Sequence, residues 1–319
     1  MKWKFYSLAF VAGMSILTAC SSDDNNDNDG NGGNGNGNEI ENGTILKGTI
    51  TSDVTLAAGN TYKLSGEYIV EEGATLHIEE GVKIIAVYDD IADYILVKQG
   101  GKINAVGTPD KPIVMTSEKE EPGAWGGIHI CGRAHTNAEG GKGSSEIGGA
   151  VYGGNDDADN SGTLQYIRLE YTGFAFDEEH EANGISFYGV GNGTIVDHCQ
   201  AYKGSDDGFE FFGGSVNVSN LVAVSCSDDS FDWTEGWNGK GTNLVAYQEA
   251  ESTLGYDCDC LMECDNNGSN NAATPVAHPV LKNLILVGNG GSKQGIRLRA
   301  GTEVEIDNAK VCEIGRAHV

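Results

Sequence analysis

The sequence predicts an all-β protein, a single right-handed parallel β-helix, and a recurring phrase is the main reason. SDDGFEFFGG begins at Ser205, SDDSFDWTEG begins 22 residues later at Ser227, and degenerate copies begin at Ala182 and Lys293. A repeat of this length indicates a solenoid, because each unit is too small to bury its own apolar face. The units are rich in glycine, asparagine and β-branched or aromatic residues and lack helical periodicity, which favours a β-solenoid.

Within each copy, apolar and polar side chains alternate. Phe209 and Phe211 flank Glu210, and Phe231 and Trp233 flank Asp232 in the next copy. Strand side chains point to opposite faces in turn, so we expect the four aromatic residues inside and the two acids outside. A second strand follows in each unit, and parallel crossovers are nearly always right-handed.

The first residues read as an export signal. A basic start, MKWK, precedes an apolar run from Phe5 to Leu17 that ends in LTAC at Cys20. This pattern is typical of a bacterial lipoprotein signal, so we expect residues 1–19 to be removed and Cys20 to carry lipid. Residues 20–43 then form an Asn/Asp/Gly-rich tether with too little apolar surface to fold. The predicted location is the outer membrane, at the cell surface or on its periplasmic face.

The chain is strongly acidic. It has 20 Lys and Arg against 47 Asp and Glu, a net charge of −27. Such a surface repels nucleic acid and attracts divalent cations. We therefore expect no nucleic-acid partner. The export signal suggests a lipid anchor in the outer membrane, the long repetitive flank of the helix suggests a polysaccharide partner, and we expect the chain to be a monomer.

Several stretches resemble a known family. GEYIVEEGATLHIEEGVKI, AWGGIHICGRA and LQYIRLEYTG, together with the two SDD phrases, resemble exported Bacteroidetes β-helix lipoproteins and surface proteins. The resemblance covers residues 45–312 and implies the β-helix, here bounded at residues 44–312, without implying an activity. Ser-Ser-Asp-Asp after Cys20 resembles their surface-export signal. Residues 313–319 resemble translated sequencing adapter, which predicts a non-native tail on a truncated chain.

The repeat stacks acids in its turns. Asp206 and Asp207 lie one unit from Asp228 and Asp229. Carboxylate oxygens are preferred ligands of Ca²⁺, so these four residues are a candidate calcium site. The simpler interpretation is that turn aspartates cap backbone N–H groups.

The strand pair Glu210 and Asp232 is a candidate catalytic pair. Their strands are expected about 4.8 Å apart, and two carboxylates at that distance suit acid–base or nucleophilic glycoside chemistry. With Arg297 and Arg299 downstream, this arrangement resembles pectin-type lyases and polygalacturonases, although the histidine motif of the hydrolases is absent. We take Glu210, Asp232 and Arg297 as the candidate catalytic residues.

Two further sets of side chains complete the candidates. Tyr188, Phe212 and Trp237 are expected to be exposed and to stack on sugar rings, with corner packing as the alternative. The cysteine-rich stretch from Cys258 to Cys264 predicts a local disulfide or free thiols rather than a zinc site, since no histidine stands at ligand spacing.

The sequence therefore predicts a surface-anchored lipoprotein whose β-helix binds extracellular glycan or another surface ligand. Two alternatives remain open. One is a polysaccharide lyase or glycoside hydrolase, and the other is a structural scaffold or adhesin without a small ligand. Ca²⁺ is the one cofactor that the acidic columns suggest.

Overall fold

The computed structural model describes residues 38–89, 91–177 and 180–315. The predicted signal peptide, Cys20 and the tether up to residue 37 lie outside the described residues, as do residues 316–319 of the predicted tail. Among the residues that are described, no helix is long and apolar enough to cross a membrane.

The protein is a right-handed parallel β-helix, which confirms the predicted fold class. Of the 23 strands in the described residues, 21 pair in parallel into one continuous sheet, and β11 and β12 form a separate antiparallel pair. A single turn of helix, α1 (Glu251–Leu254), and a 3₁₀ turn (Glu139–Gly141) interrupt the strands. The strands are β1 (Asn38–Ile40), β2 (Ile45–Ile50), β3 (Val54–Leu56), β4 (Thr61–Val70), β5 (Thr75–Ile78), β6 (Lys83–Ala86), β7 (Tyr94–Val97), β8 (Lys102–Val106), β9 (Ile113–Ser117), β10 (Ile128–Cys131), β11 (Gly143–Ser144), β12 (Val151–Tyr152), β13 (Gly162–Glu170), β14 (Ile185–Tyr188), β15 (Ile195–Tyr202), β16 (Phe209–Phe212), β17 (Asn217–Val224), β18 (Phe231–Thr234), β19 (Lys240–Tyr247), β20 (Met262–Asp265), β21 (Val280–Val287), β22 (Ile296–Arg299) and β23 (Glu305–Cys312).

The helix has three faces. Face 1 consists of β7, β10, β14, β16, β18, β20 and β22, preceded by the second halves of β2 and β4. Face 2 consists of β1, β3, β5 and β8, followed by the first halves of the long strands from β13 to β23. Face 3 consists of the first halves of β2 and β4, then β6 and β9, followed by the second halves of those long strands. Every rung thus contributes one segment to each face.

One residue makes the corner between faces 2 and 3. In the later rungs it is Asn220, Asn243, Asn283 and Asn308, each with φ between +54° and +63°. Asparagine tolerates this left-handed conformation better than most residues. Each side-chain amide donates to the carbonyl of the preceding one, at 2.8, 3.0 and 2.7 Å in order. The corner is therefore held by a ladder of side-chain hydrogen bonds along the helix axis.

The interior is a set of stacked apolar columns. Phe209 packs on Phe231 with ring centroids 5.6 Å apart, and Phe211 packs between Phe187 at 5.0 Å and Trp237 at 4.1 Å. Trp233 is fully buried in the same core. The predicted inward orientation of the four repeat aromatic residues is confirmed.

Two features of the rungs differ from the sequence expectation. The interval of 65 residues from Asp229 to Gln294 is close to three repeats of 22 residues, which predicts two intervening rungs, but a single intervening rung, β20, occupies it with longer turns. The first strand, β1, pairs with β3 and begins at Asn38, before the predicted boundary at residue 44. The 22-residue register of the SDD phrases does not extend to β20, because no SDD turn precedes this strand.

A long segment between β10 and β13, residues 132–161, packs over the outside of face 1; we call it the covering segment. Its Ile147, Ala150 and Tyr152 form a second apolar cluster with Tyr188 and Phe212. The exposure expected for Tyr188 and Phe212 is therefore wrong. Trp237 is buried too, stacked against Phe211 in the main core. These three rings are not available to stack on sugars.

Candidate cation site on face 1

The outward side of face 1 carries a column of charged residues. Strand register places Ser186 beside Glu210, Glu210 beside Asp232, Asp232 beside Glu263, and Glu263 beside Arg297. The flanking apolar residues point into the core, so alternation directs this column outward. The predicted pairing of Glu210 with Asp232 is confirmed, and Glu263 extends it by one rung. We call Glu210, Asp232 and Glu263 the acidic column.

A second column runs through the turn that leads into face 1. Asp207 Oδ1 accepts a hydrogen bond from the N–H of Asp229 at 2.8 Å, and Asp229 Oδ1 accepts one from the N–H of Cys260 at 2.6 Å. The turn aspartates therefore cap the next rung, as the simpler interpretation predicted. Each keeps its second carboxylate oxygen for another partner.

The two columns together bring ligand atoms close to one another. Four groups of three residues each have oxygen or sulfur atoms within 4.8 Å of one another. They are Asp206, Asp207 and Asp228; Asp207, Glu210 and Asp232; Asp229, Asp232 and Glu263; and Asp229, Asp259 and Cys260. Of the four predicted calcium ligands, Asp206, Asp207 and Asp228 converge, whereas Asp229 belongs to the two groups further along the helix. Shared members link all four groups into one continuous array.

One member of this array has a buried oxygen without a partner. Asp232 Oδ1 is inaccessible to solvent and accepts no hydrogen bond. A buried polar atom without a partner costs roughly 1–3 kcal/mol, so native structures rarely keep one. A cation or an ordered water bound to it would remove that cost.

Burial and mutual repulsion raise the pKa of the carboxyl groups. Burial, reinforced by neighbouring carboxylates, raises the pKa of Glu210, Asp232 and Asp207 well above the usual range. The same two causes raise the pKa of Asp206 to about 8 and that of Asp229 to about 9. Several of these groups are therefore protonated at neutral pH unless a cation compensates their charge.

The basic residues lie at one end of the acidic column. Arg297 Nη1 lies 2.7 Å from Glu263 Oε1, and Arg299 pairs with both Glu263 and Asp265. The strand of Glu263 separates Arg297 from Asp232. The structure thus brings Glu210 and Asp232 together but does not place Arg297 beside them.

The covering segment adds one acid that sequence reasoning missed. Tyr188 donates a hydrogen bond from its hydroxyl to Glu146 Oε2 at 3.4 Å. Burial raises the pKa of Glu146 to about 7, and the charges of Glu235 and Glu181 contribute. Because Glu146 influences the pKa of Glu210, the two carboxyls share one environment. No repeat phrase marks Glu146, so the folded chain alone reveals it.

A polar groove lies at the downstream edge of face 1. It has a volume of about 670 Å³ and is lined by Asn137, Glu139, Thr234, Glu235 and residues 267–270. Thr234 belongs to β18, the strand that carries Asp232. Side-chain amides, hydroxyls and carboxylates are the groups that hydrogen-bond sugar hydroxyls, so this groove extends the acidic column with glycan-compatible chemistry.

Comparison with known proteins decides the family. Residues 48–318 match a family model described as a pectate-lyase-like beta helix domain. The chain belongs to this family. No curated protein matches the chain in sequence. The pectate-lyase-like match agrees with the three-faced parallel helix.

Proposed function

We propose that the protein binds an acidic extracellular polysaccharide through divalent cations that are held on face 1. The expected cation is Ca²⁺. The observation that carries this proposal is the position of Asp232. Its Oδ1 is buried without a partner, while strand register places its carboxylate between those of Glu210 and Glu263. A cation supplies both the missing partner and the missing positive charge.

The charge of the chain favours an acidic ligand only when cations intervene. With a net charge of −27, the bare protein repels a polyuronate. A cation held by two or three carboxylates keeps open coordination positions, which a sugar carboxylate can fill. The adjacent groove then offers amides and hydroxyls for the sugar hydroxyls. This arrangement makes binding dependent on cations rather than on aromatic stacking.

Anchoring belongs to the same proposal and rests on the sequence. Cys20 at the end of LTAC would carry lipid, and the following Asn/Asp/Gly-rich residues would act as a tether. The β-helix would then be displayed at the outer membrane, where extracellular polymer could reach the part of face 1 that the covering segment leaves open. Radiolabelled palmitate incorporation tests this part, because Cys20→Ser should abolish it.

Binding to polygalacturonate, with a neutral β-glucan as control ligand, tests the main proposal. We expect binding with Ca²⁺, at least tenfold weaker binding in EDTA at equal ionic strength, and no binding to the neutral polymer. Asp232→Asn should reduce the affinity at least tenfold. Asp307→Asn, which changes an exposed acid on face 2, should leave it unchanged. Equal binding with and without Ca²⁺ would refute the proposal.

A polysaccharide lyase or glycoside hydrolase is the second candidate, and Glu210 beside Asp232 favours it. Two neighbouring carboxyls with raised pKa values are typical of acid–base pairs. Against this role, Arg297 and Arg299 are already paired with carboxylates and do not flank the pair. Release of unsaturated or reducing ends, lost in Glu210→Gln, would establish the enzyme. If neither polysaccharide binding nor a cleavage product is detected, the remaining alternative is a structural scaffold or adhesin without a small ligand.

A further inference from the structure

The corner between faces 2 and 3 is built differently in the first rungs. The later rungs turn at a single asparagine, whereas the first rungs use longer turns. These turns are residues 57–60, 79–82 and 107–112. Gly59 donates its N–H to the carbonyl of Glu80 at 3.0 Å, and Gly81 donates its N–H to that of Lys111 at 3.0 Å. The three turns are therefore hydrogen-bonded into one wall along this corner.

A groove of about 500 Å³ lies between this wall and the outward side of face 2. Its floor is formed by Thr55, His77 and Asn104, which strand register places side by side on β3, β5 and β8. Leu76 and Ile78, which flank His77, are buried in the core, so alternation directs the floor side chains outward. The volume is typical of a pocket for a small ligand. We call this cavity the face 2 groove.

The polar side chains on the floor of the face 2 groove have no partners in the protein. Within the described residues, the side chains of His77 and Asn104 make no hydrogen bond or ion pair. Thr55 is 3% exposed, and its Oγ1 is buried without a hydrogen-bond partner. Buried hydroxyl groups of native proteins are nearly always hydrogen-bonded, so this one indicates a missing partner. The floor thus offers one unpaired polar group on each of three successive rungs.

The wall of the face 2 groove carries one carboxylate without a cation. Glu79 Oε2 accepts the N–H of Ala58 at 2.9 Å, which holds this side chain at the groove. The neighbouring Glu80 lies 2.8 Å from Lys111 Nζ, whereas no basic side chain of the described residues pairs with Glu79. Because the charge of Glu79 is unbalanced, the groove favours a ligand that carries a positive charge.

We propose that the face 2 groove is a second binding site, specific for an amino sugar whose amine is free and protonated. The ammonium group pairs with Glu79, and the sugar hydroxyls hydrogen-bond to Thr55, His77 and Asn104. The apolar face of the sugar ring packs on Val106, which lines the groove and is 41% exposed. A lysine side chain would leave the floor without partners, and a neutral sugar would leave Glu79 unbalanced. The site uses no metal ion and does not depend on the proposed binding of acidic polysaccharide to face 1.

Titration of the full chain with the glucosamine disaccharide, in EDTA at fixed ionic strength, tests the proposal. The histidine ring signals are followed by ¹H–¹³C NMR, and we expect those of His77 to shift and to saturate. The N-acetylated disaccharide, which has no charge, and trilysine, which has no sugar ring, should each bind at least tenfold more weakly at His77. His278 lies beside the exposed acids Glu303 and Glu305, so its signals report general attraction of cations to the acidic surface and should not saturate over the same range.

Two variants assign the site. Glu79→Gln keeps an acceptor for the N–H of Ala58 and removes the charge, so it should weaken binding at least tenfold with an unchanged melting temperature. Asp307→Asn is the matched control, because it removes an exposed acid elsewhere on face 2 and should leave the affinity unchanged. The proposal is overturned if the signals of His77 do not saturate, or if the affinity persists in Glu79→Gln. Equal binding of the N-acetylated sugar would indicate a neutral-sugar site, and tighter binding of trilysine would indicate a peptide site; either result also overturns it.

Discussion

Asp207 caps the backbone of Asp229 from one rung away: its Oδ1 accepts the Asp229 N–H at 2.8 Å. The same carboxylate has an oxygen within 4.8 Å of those of Glu210 and Asp232. Asp207 therefore serves two purposes, because one oxygen joins consecutive rungs while the charge contributes to a cation site. A substitution that keeps the acceptor and removes the charge separates the two.

The first prediction uses Asp207→Asn combined with Asp229→Asn. In EDTA we expect this double variant to melt several degrees above the native chain, since it relieves repulsion and keeps both caps. Ca²⁺ should stabilise the native chain by about 2.7 kcal/mol at a hundred times Kd and the double variant much less. Differential scanning calorimetry measures both shifts. Asp207→Ala, which also loses the cap, should melt lower than Asp207→Asn in EDTA; a native chain indifferent to Ca²⁺ contradicts the prediction.

The second prediction concerns pH in the absence of cations. Folding raises the pKa of Asp206 from 3.8 to about 8 and that of Asp229 to about 9. A group whose pKa is raised by folding contributes its full stabilisation of the folded state below its unfolded pKa. That contribution is lost as the pH rises through the folded pKa. The melting temperature in EDTA should therefore fall by roughly 5–10 °C between pH 5 and pH 9. Ca²⁺ should flatten this profile, and Asp206→Asn should reduce the slope; a profile rising toward pH 9 in EDTA would be inconsistent with it.

The third prediction tests the aromatic core. Phe211 is 2% exposed and stacks on both Phe187 and Trp237. Phe211→Ala should lower the free energy of unfolding by about 3–5 kcal/mol, because it removes buried surface and leaves a cavity. Ile195→Ala is the control, since that side chain is 51% exposed and should change stability by less than about 0.5 kcal/mol. Urea denaturation gives both values, and similar effects at the two sites would count against the assigned core.

The fourth prediction tests the asparagine ladder at Asn243. Asn243→Ala loses hydrogen bonds to Asn220 and Asn283 and puts alanine, which tolerates the left-handed region less well than asparagine, at φ +58°. We expect a loss of about 2 kcal/mol, combining lost hydrogen bonds with left-handed strain. Asn243→Gly removes the strain but not the lost bonds, so it should recover about half. If glycine and alanine are equally destabilising, the strain contribution is absent.

Alternation made much of face 1 predictable from sequence. Phe209 and Phe231 had to share a side, so Glu210 and Asp232 had to share the other, and the 22-residue register made them neighbours. The same local logic gave the capping role of Asp207 and Asp229. These inferences succeeded because strand direction and register are properties of adjacent residues.

The remaining site residues depended on contacts that sequence distance conceals. Tyr188 and Phe212 are buried because the covering segment, which lies between β10 and β13 in the chain, packs on them. Glu263 and Cys260 belong to a rung with a longer turn and no SDD phrase, so the repeat gave no register for them. Glu146 approaches Glu210 only through that same insertion. The position of each of these residues is set by packing between segments that are distant in the sequence, and not by local secondary-structure propensity.

The ligand groups of face 1 are distributed across successive rungs, and this has a mechanical consequence. In a solenoid each unit contacts only its neighbours, so stability is a sum of unit terms and nearest-neighbour couplings. Asp207, Glu210 and Asp232 span the units of β16 and β18, and Asp229, Asp232 and Glu263 span those of β18 and β20, so an ion held by either group would cross-link those neighbouring units alone. Pulling the ends of an ion-free chain should open these junctions early in the force trace, whereas loading them with metal should transfer the first rupture to another part of the helix.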